Sequence, residues 1–403
     1  MKKIITTLAL ILTTFVPSYA IEDTPLPFNE EPVQLETTFF DNEIGEEKPT
    51  IIEDEEEITP KELTFSEKIQ KALKAEISKT DTPYFMLNDV LTHDFEKGPL
   101  ENIHIWGAYQ GNLGINMQDG ENGYSQYSQP AINLGFDGKF KNGKEDFRLM
   151  FGFQPRHEMT FWNALPADMY IATNRIPNHR ILFGNTRPNV TQEGGNSQYT
   201  LPFILRSQTA RTYGTVRKFG VRVLGNYDLV EYDLGGYSSD TYFRKFFPGA
   251  EFTGWVNFKP LGKTDGKYGK LKLGGGINSG QHEDRDFFVG GAYIGYEYKK
   301  FFTNFEWAQA DGSNGLSGYS NKKSGGLNAT AGYNVTNKIQ VVARYDQFDP
   351  DRNIKHNMRR EYSAGINYFL KGQGLKLIFN YIFCQNQGKD DSHRLLIGTQ
   401  ILL

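Results

Sequence analysis

The chain has 403 residues, 38% hydrophobic and 14% aromatic (30 Phe, 22 Tyr, 4 Trp), with 42 Gly and a formal net charge of −4. At about 100–200 residues per domain the length alone suggests two or three domains, yet so polar, aromatic and Gly-rich a chain is neither disordered nor a bundle of membrane helices. No run of about 18 apolar residues follows the first twenty, which excludes a transmembrane helix there, and the single Cys384 excludes a disulfide scaffold and a zinc ribbon.

Residues 1–20 read as a secretory signal peptide: Lys2 and Lys3 precede an apolar stretch from Ile4 to Val16, and Ser18-Tyr19-Ala20 ends in a small residue suited to cleavage. The mature protein is expected outside the cytoplasm. Next comes an acidic stretch, 21–58, read as a solvated tail. Residues 21–60 hold 14 Asp or Glu against Lys48 alone, whereas 61–403 hold 41 basic against 34 acidic residues. A short amphipathic helix is expected over 59–80. Thr59-Pro60-Lys61-Glu62 supplies the cap, and Phe65, Ile69, Ala72, Leu73 and Ile77 form its apolar stripe. The stripe suits either a short oligomerising coiled coil or docking against the main domain.

From Ile103 onward the hydrophobic period becomes two. Sixteen strands are expected, at 103–117, 130–141, 146–156, 168–174, 179–185, 217–226, 229–238, 251–260, 270–278, 286–298, 301–311, 323–334, 339–348, 360–370, 375–385 and 392–403. Most approach the 9–11 residues with which a tilted strand crosses a bilayer. Short turns such as Asn142-Gly143-Lys144-Glu145 and Lys299-Lys300 alternate with longer loops, as in an outer-membrane barrel. Two connections break the alternation: 261–269 is long for a turn and 279–285 short for a loop. Leu375, Leu377, Phe379, Tyr381 and Phe383 share one strand face, and Lys376 and Asn380 the other. A soluble β-sandwich alternates too. The number of strands and the aromatic residues near their ends favour an all-β, 16-stranded antiparallel transmembrane β-barrel over 100–403.

Sixteen strands leave room for an aqueous channel, so a pore is the default expectation. Its constriction is sought in the third long loop, 186–216, where Arg187, Arg206 and Arg211 face a single acid, Glu193. The apolar run Leu201-Pro202-Phe203-Ile204-Leu205 has no use in water and is expected to fold the loop inward. Guanidinium groups left at the constriction would attract anions and grip phosphate bidentately. Parity adds Arg148, Arg156, Lys218, Arg222, Lys259 and Arg344 on the barrel wall, with Lys272, Lys376 and Arg394 also inward. The acids Asp137, Glu231, Asp233, Glu251, Glu306 and Asp346 point inward as well. The alternative is that the bases only pair with these carboxylates; Arg222 and Glu231, flanking one tight turn, would be such a cross-strand pair.

The stretch G-x-x-R-P-N-V-T-Q-E-G-G-N-S-x-Y-x-L-P-F-I-L-R-S from Gly184, then R-x-Y-G-x-x-R-x-x-G-V from Arg211, resembles the phosphate-selective porins O and P. So do E-Y-S-A-G-I-N-Y-F-L from Glu361 and G-L-K-L-I-F-N-Y from Gly374. The resemblance covers roughly residues 100–403. It implies a sixteen-stranded trimeric barrel with an inward third loop, conducting anions and in some members phosphate or polyphosphate. The expected protein is thus an outer-membrane porin with outer-membrane lipid, small anions such as phosphate and its own copies as partners. No cofactor, metal, nucleic acid or enzymatic activity is expected. Ser392 and His393, adjacent on a strand, point to opposite faces and form no dyad. Asp346, Asp349, Asp351 and Asn353 read as a solvated acidic loop rather than a calcium site. A general diffusion porin of little selectivity, or an envelope-anchoring barrel without channel activity, are the competing readings.

Overall fold

The computed structural model describes residues 64, 67, 91–118, 123–153, 166–240, 245, 247–313 and 318–402. The expected signal peptide (1–20), the acidic stretch (21–58) and most of the amphipathic helix (59–80) lie outside them. Within the last range the Thr64 N–H donates to Glu67 Oε2 (2.8 Å) and the Glu67 N–H to Thr64 Oγ1 (3.3 Å), a reciprocal helix cap. The expected cap, Thr59, is outside the described residues.

A three-residue strand, β1 (Thr92–Asp94), leads into sixteen longer ones. They are β2 (Leu100–Gln118), β3 (Tyr124–Phe140), β4 (Glu145–Phe153), β5 (Pro166–Thr173), β6 (His179–Thr186), β7 (Lys218–Asn226), β8 (Val230–Ser238) and β9 (Ala250–Phe258). The second half comprises β10 (Lys270–His282), β11 (Arg285–Tyr298), β12 (Phe301–Ser313), β13 (Tyr319–Asn334), β14 (Ile339–Asp349), β15 (Arg359–Phe369), β16 (Leu375–Asn386) and β17 (Ser392–Leu402). Each pairs antiparallel with the next, and β17 returns to β2 with Leu395 opposite Ile115, which closes the sheet. The fold is the expected sixteen-stranded barrel. Where β17 stops opposite Ala108, β1 takes over the edge of β2 at Asn102–His104.

Strand ends differ from the sequence reading by a few residues: β3 starts at Tyr124 rather than 130, β13 at Tyr319 rather than 323, and β10 is longer at its end. It runs on to His282 and turns into β11 through Glu283 and Asp284 alone, with Glu283 at φ +56°. The opposite anomaly is also present, since 259–269 forms a long connection on the turn side.

The barrel reverses the distribution of a water-soluble sheet. Phe183, Phe252, Phe305, Ile366 and Phe379 stand exposed on its outer surface, while Asn133, Asn257, Asn328, Asn367, Asn380 and Gln400 are buried inside. Apolar outside and polar inside suits lipid around the barrel and water within it, and excludes the sandwich. Aromatic residues gather near the strand ends. Towards the loop side Tyr345, Tyr362, Phe383 and His393 form a ladder across β14–β17 with centroid spacings of 5.3, 6.1 and 4.9 Å. Tyr296, Tyr298 and Tyr333 lie at the turn side.

Phe379→Lys, at the middle of β16 on the outer face, should cost about 2–4 kcal/mol of folding stability in lipid vesicles, against about 0–1 kcal/mol for Tyr298→Lys at a strand end. Denaturant titration in vesicles measures both, and equal costs would contradict a lipid-facing β16.

Candidate functional site: the inward loop

The connection between β6 and β7 turns into the barrel as three short, individually capped pieces. Helix α1 (Gln192–Gly195) is capped by Thr191 Oγ1, which accepts from the Gly194 N–H (3.0 Å). A 3₁₀ turn (Gln198–Thr200) is capped by Ser197, and helix α2 (Gln208–Tyr213) by Ser207 Oγ accepting from the Ala210 N–H (3.4 Å). The two helices touch at glycines. A Cβ on Gly194 would stand 2.6 Å from Gly214 Cα, so neither position has room for a side chain.

A loop inside a barrel must find partners for its own backbone, and here wall side chains supply them. The Glu306 carboxylate accepts from the N–H groups of Gln192 and Glu193, the latter at 3.1 Å. Asp346 Oδ2 accepts from the Gln208 N–H (2.7 Å). Lys376 Nζ donates to the carbonyls of Tyr199 (3.1 Å) and Leu201 (3.2 Å), Asn367 Nδ2 to that of Pro202 (2.9 Å), and Asn380 Oδ1 accepts from the Ile204 N–H (2.8 Å). The apolar run follows these anchors. Ile204 packs with Ile378, Ile382 and Leu396, Tyr199 with Trp106 and Met150, and Phe203 lies under the Arg344 guanidinium at 4.6 Å.

The loop arginines have two kinds of surroundings. Arg187 donates to the Gly194 carbonyl (3.0 Å), and Arg206 to the carbonyls of Glu193 and Asn196, the second at 2.7 Å; both are buried and brace the loop against itself. Burial, with Arg217, Arg206 and Arg222 nearby, pushes the Arg187 pKa well down, although a guanidinium keeps its charge in proteins. Arg211 instead reaches the wall, with Nη2 3.0 Å from Glu361 Oε2.

Most wall bases face a carboxylate one to one. Arg148 binds Asp137 (2.6 Å), Arg222 binds Asp233 (2.5 Å), and Lys218 binds Glu251 (2.8 Å) together with the Tyr319 hydroxyl. Arg344 lies 3.4 Å from Glu193 of the loop and donates to the Leu205 carbonyl. Arg156 lies outside the described residues. The pair suggested for Arg222 is corrected: Asp233 takes it, because Glu231 is held by Lys272 (2.6 Å) and Lys259 (3.6 Å). Asp346 points into the barrel to the loop, away from Asp349, which bonds Asp351. His393 faces outward and bonds the Tyr381 hydroxyl (2.7 Å).

Sequence reading missed Arg359 and Glu361. Both have inward parity on β15, and Arg359 Nη2 lies 2.7 Å from Glu361 Oε1, so two guanidinium groups, Arg211 and Arg359, share one carboxylate. Their side chains keep 23% and 27% exposure, against 2% for Arg148 and 0% for Arg344. Parity counting along β15 would have found them.

No protein-family model and no curated protein matches the chain. Solved structures do. OmpT of Vibrio cholerae aligns with a TM-score of 0.51 and 11% identity over 77% of this chain and 100% of its own. The outer membrane channel DcaP of Acinetobacter baumannii aligns with 0.52 and 11% over 77% and 99%, and OprB of Pseudomonas putida with 0.55 and 10% over 75% and 94%. The chain has the outer-membrane barrel fold.

Glu306→Ala removes the acceptor of two amides. A lost buried hydrogen bond costs about 1–3 kcal/mol, so hydrogen exchange at Gln192 and Glu193 should accelerate about tenfold or more. Unchanged protection would mean that the loop holds itself inward without this carboxylate.

Proposed function

We propose that the chain is a porin of the outer membrane, a water-filled diffusion channel narrowed by the β6–β7 loop and favouring small anions, phosphate among them. The observation that carries this reading is the sharing of Glu361 by Arg211 and Arg359, both still open to solvent. Lys259 and Lys272 share Glu231 in the same way, at 22% and 34% exposure. Two bases on one carboxylate leave a net positive charge where a passing solute meets it. A planar guanidinium matches two phosphate oxygens. Arg187 and Arg206 act on anions indirectly, by holding the loop that sets the constriction, and the paired Arg148, Lys218, Arg222 and Arg344 contribute little net field.

Such a channel works by diffusion and needs no cofactor. A homotrimer is part of the proposal, in keeping with the trimer form described for OmpT of Vibrio cholerae, which aligns with a TM-score of 0.51. A general diffusion porin of little selectivity is the second reading, favoured by the one-to-one pairing of most wall charges.

The deciding measurement is the zero-current potential of the purified protein in a planar bilayer under a KCl gradient, repeated with phosphate on both sides. One unit charge about 4 Å from an ion in water is worth about 1 kcal/mol. Arg211→Ala combined with Arg359→Ala should therefore lower the anion-to-cation permeability ratio about fivefold or more and weaken block of chloride current by phosphate. A near-zero potential in the unaltered protein would leave the general diffusion porin, and absence of conductance an anchoring barrel.

A further inference from the structure

The two rims of the barrel differ in charge. The seven connections on the turn side, from 141–144 to 370–374, carry ten Lys or Arg against Asp228 and Asp265. Lys144, Lys263, Lys267, Lys299, Lys300 and Lys338 are exposed, and among the described residues no carboxylate lies within ion-pair distance of any of them. Lys267 and Lys299 lie over the rings of Tyr268 and Tyr298 at 5.3 and 5.0 Å, which holds their ammonium groups at the rim. The loop-side connections other than the inward loop carry more acids than bases.

The N-terminal part of the chain joins the barrel on the basic side. Before β2 starts, the Pro99 carbonyl accepts from the Lys141 N–H (2.9 Å) and the Glu96 carbonyl from Lys141 Nζ (2.6 Å), so the incoming segment is fastened to the β3–β4 turn. Upstream, Glu36 to Glu57 hold ten acidic residues and Lys48. We propose that this acidic stretch docks on the lysine rim of its own barrel. The attraction joins opposite net charges tethered on one side of the membrane, where the linker keeps their effective concentration high.

The tether is long enough. Sixteen strands about 4.8 Å apart and tilted by about 40° make a barrel roughly 30 Å across. Between Glu57 and Leu91, a helix over 59–80 would supply about 33 Å and the remaining residues about 35 Å when extended. Any lysine of the rim lies within that span. The channel reading and this docking are independent, because docking concerns the outer edge of the turns and not the inward loop.

The test is cross-linking in the full-length protein in neutral phosphatidylcholine vesicles, with Glu55→Cys combined with Lys267→Cys or, on the opposite side, with Asn353→Cys; Cys384 is buried. A short bismaleimide should join Cys at 55 and 267 into an internally linked monomer at about 50 mM salt. The yield should fall severalfold at about 1 M, where the Debye length is near 3 Å. Charge reversal at Lys263, Lys299, Lys300 and Lys338 should lower it likewise. Absence of the product, a yield indifferent to salt, an equal yield with Asn353→Cys, or a product linking two copies would each overturn the proposal. So would loss of the product when a third of the lipid is phosphatidylglycerol, which would assign the rim to anionic headgroups. Bilayer conductance of the same variants reads the channel separately.

Discussion

In hydrocarbon no water is available to satisfy a backbone N–H or C=O, so a sheet survives there only if it has no free edge. The ladder between β17 and β2 removes the last edge of this barrel, and the outer surface can then be apolar throughout. Closure also creates an interior whose walls must be polar. That interior is where the loop between β6 and β7 goes, and the loop brings its own unpaired backbone with it. Glu306, Asp346, Lys376, Asn367 and Asn380 answer that need from one arc of the wall, strands β12 and β14–β16. The constriction is therefore a consequence of hydrogen-bond satisfaction as much as of apolar packing.

The same constraint sorts the charges. An ionised group buried without a partner is costly, and deep in the wall most bases have one carboxylate beside them, while Lys376 is held by the Tyr199 and Leu201 carbonyls. Arg148 with Asp137 and Arg222 with Asp233 are rigid, nearly neutral units. Two bases share one carboxylate where those bases keep contact with solvent, at Glu361 and at Glu231. Local solvation thus decides which arginines brace the structure and which are left to act on solutes. Residue type alone does not.

Much of the fold was legible in the sequence because lipid outside and water inside force a period of two. Leu377, Phe379 and Tyr381 against Lys376 and Asn380 announce β16 without further information. The extension of β10 to His282 was not legible, since Ser279, Gly280 and Gln281 read as a loop; Ser279 and Gly280 are strand because β9 and β11 pair on both sides of them, and Gln281 because β11 pairs with it. Of the site, the inward loop was recognisable from Leu201–Leu205, an apolar run that water would not favour. Partners were less accessible. Arg206 looks like a solute-binding arginine in sequence, and only the folded loop brings the Glu193 and Asn196 carbonyls to it. The choice of Asp233 over Glu231 by Arg222 likewise depends on lysines from β10 and the β9–β10 turn, brought there by strand pairing rather than by the turn the two residues flank.

The pairing of β2 with β17 joins segments from opposite ends of the barrel sequence, Ala108 to Gln118 with Ser392 to Leu402. Such distant contacts carry a large loop-closure entropy and make folding slow. Biosynthesis meets the same condition in time: until Ser392 to Leu402 are made, any partial barrel has two open edges and an apolar surface at once. A chain stalled before Ser392 has every other hairpin and still cannot rest in a bilayer. Synthesis of β17 before the sheet closes in the membrane is the order of events that this one seam imposes.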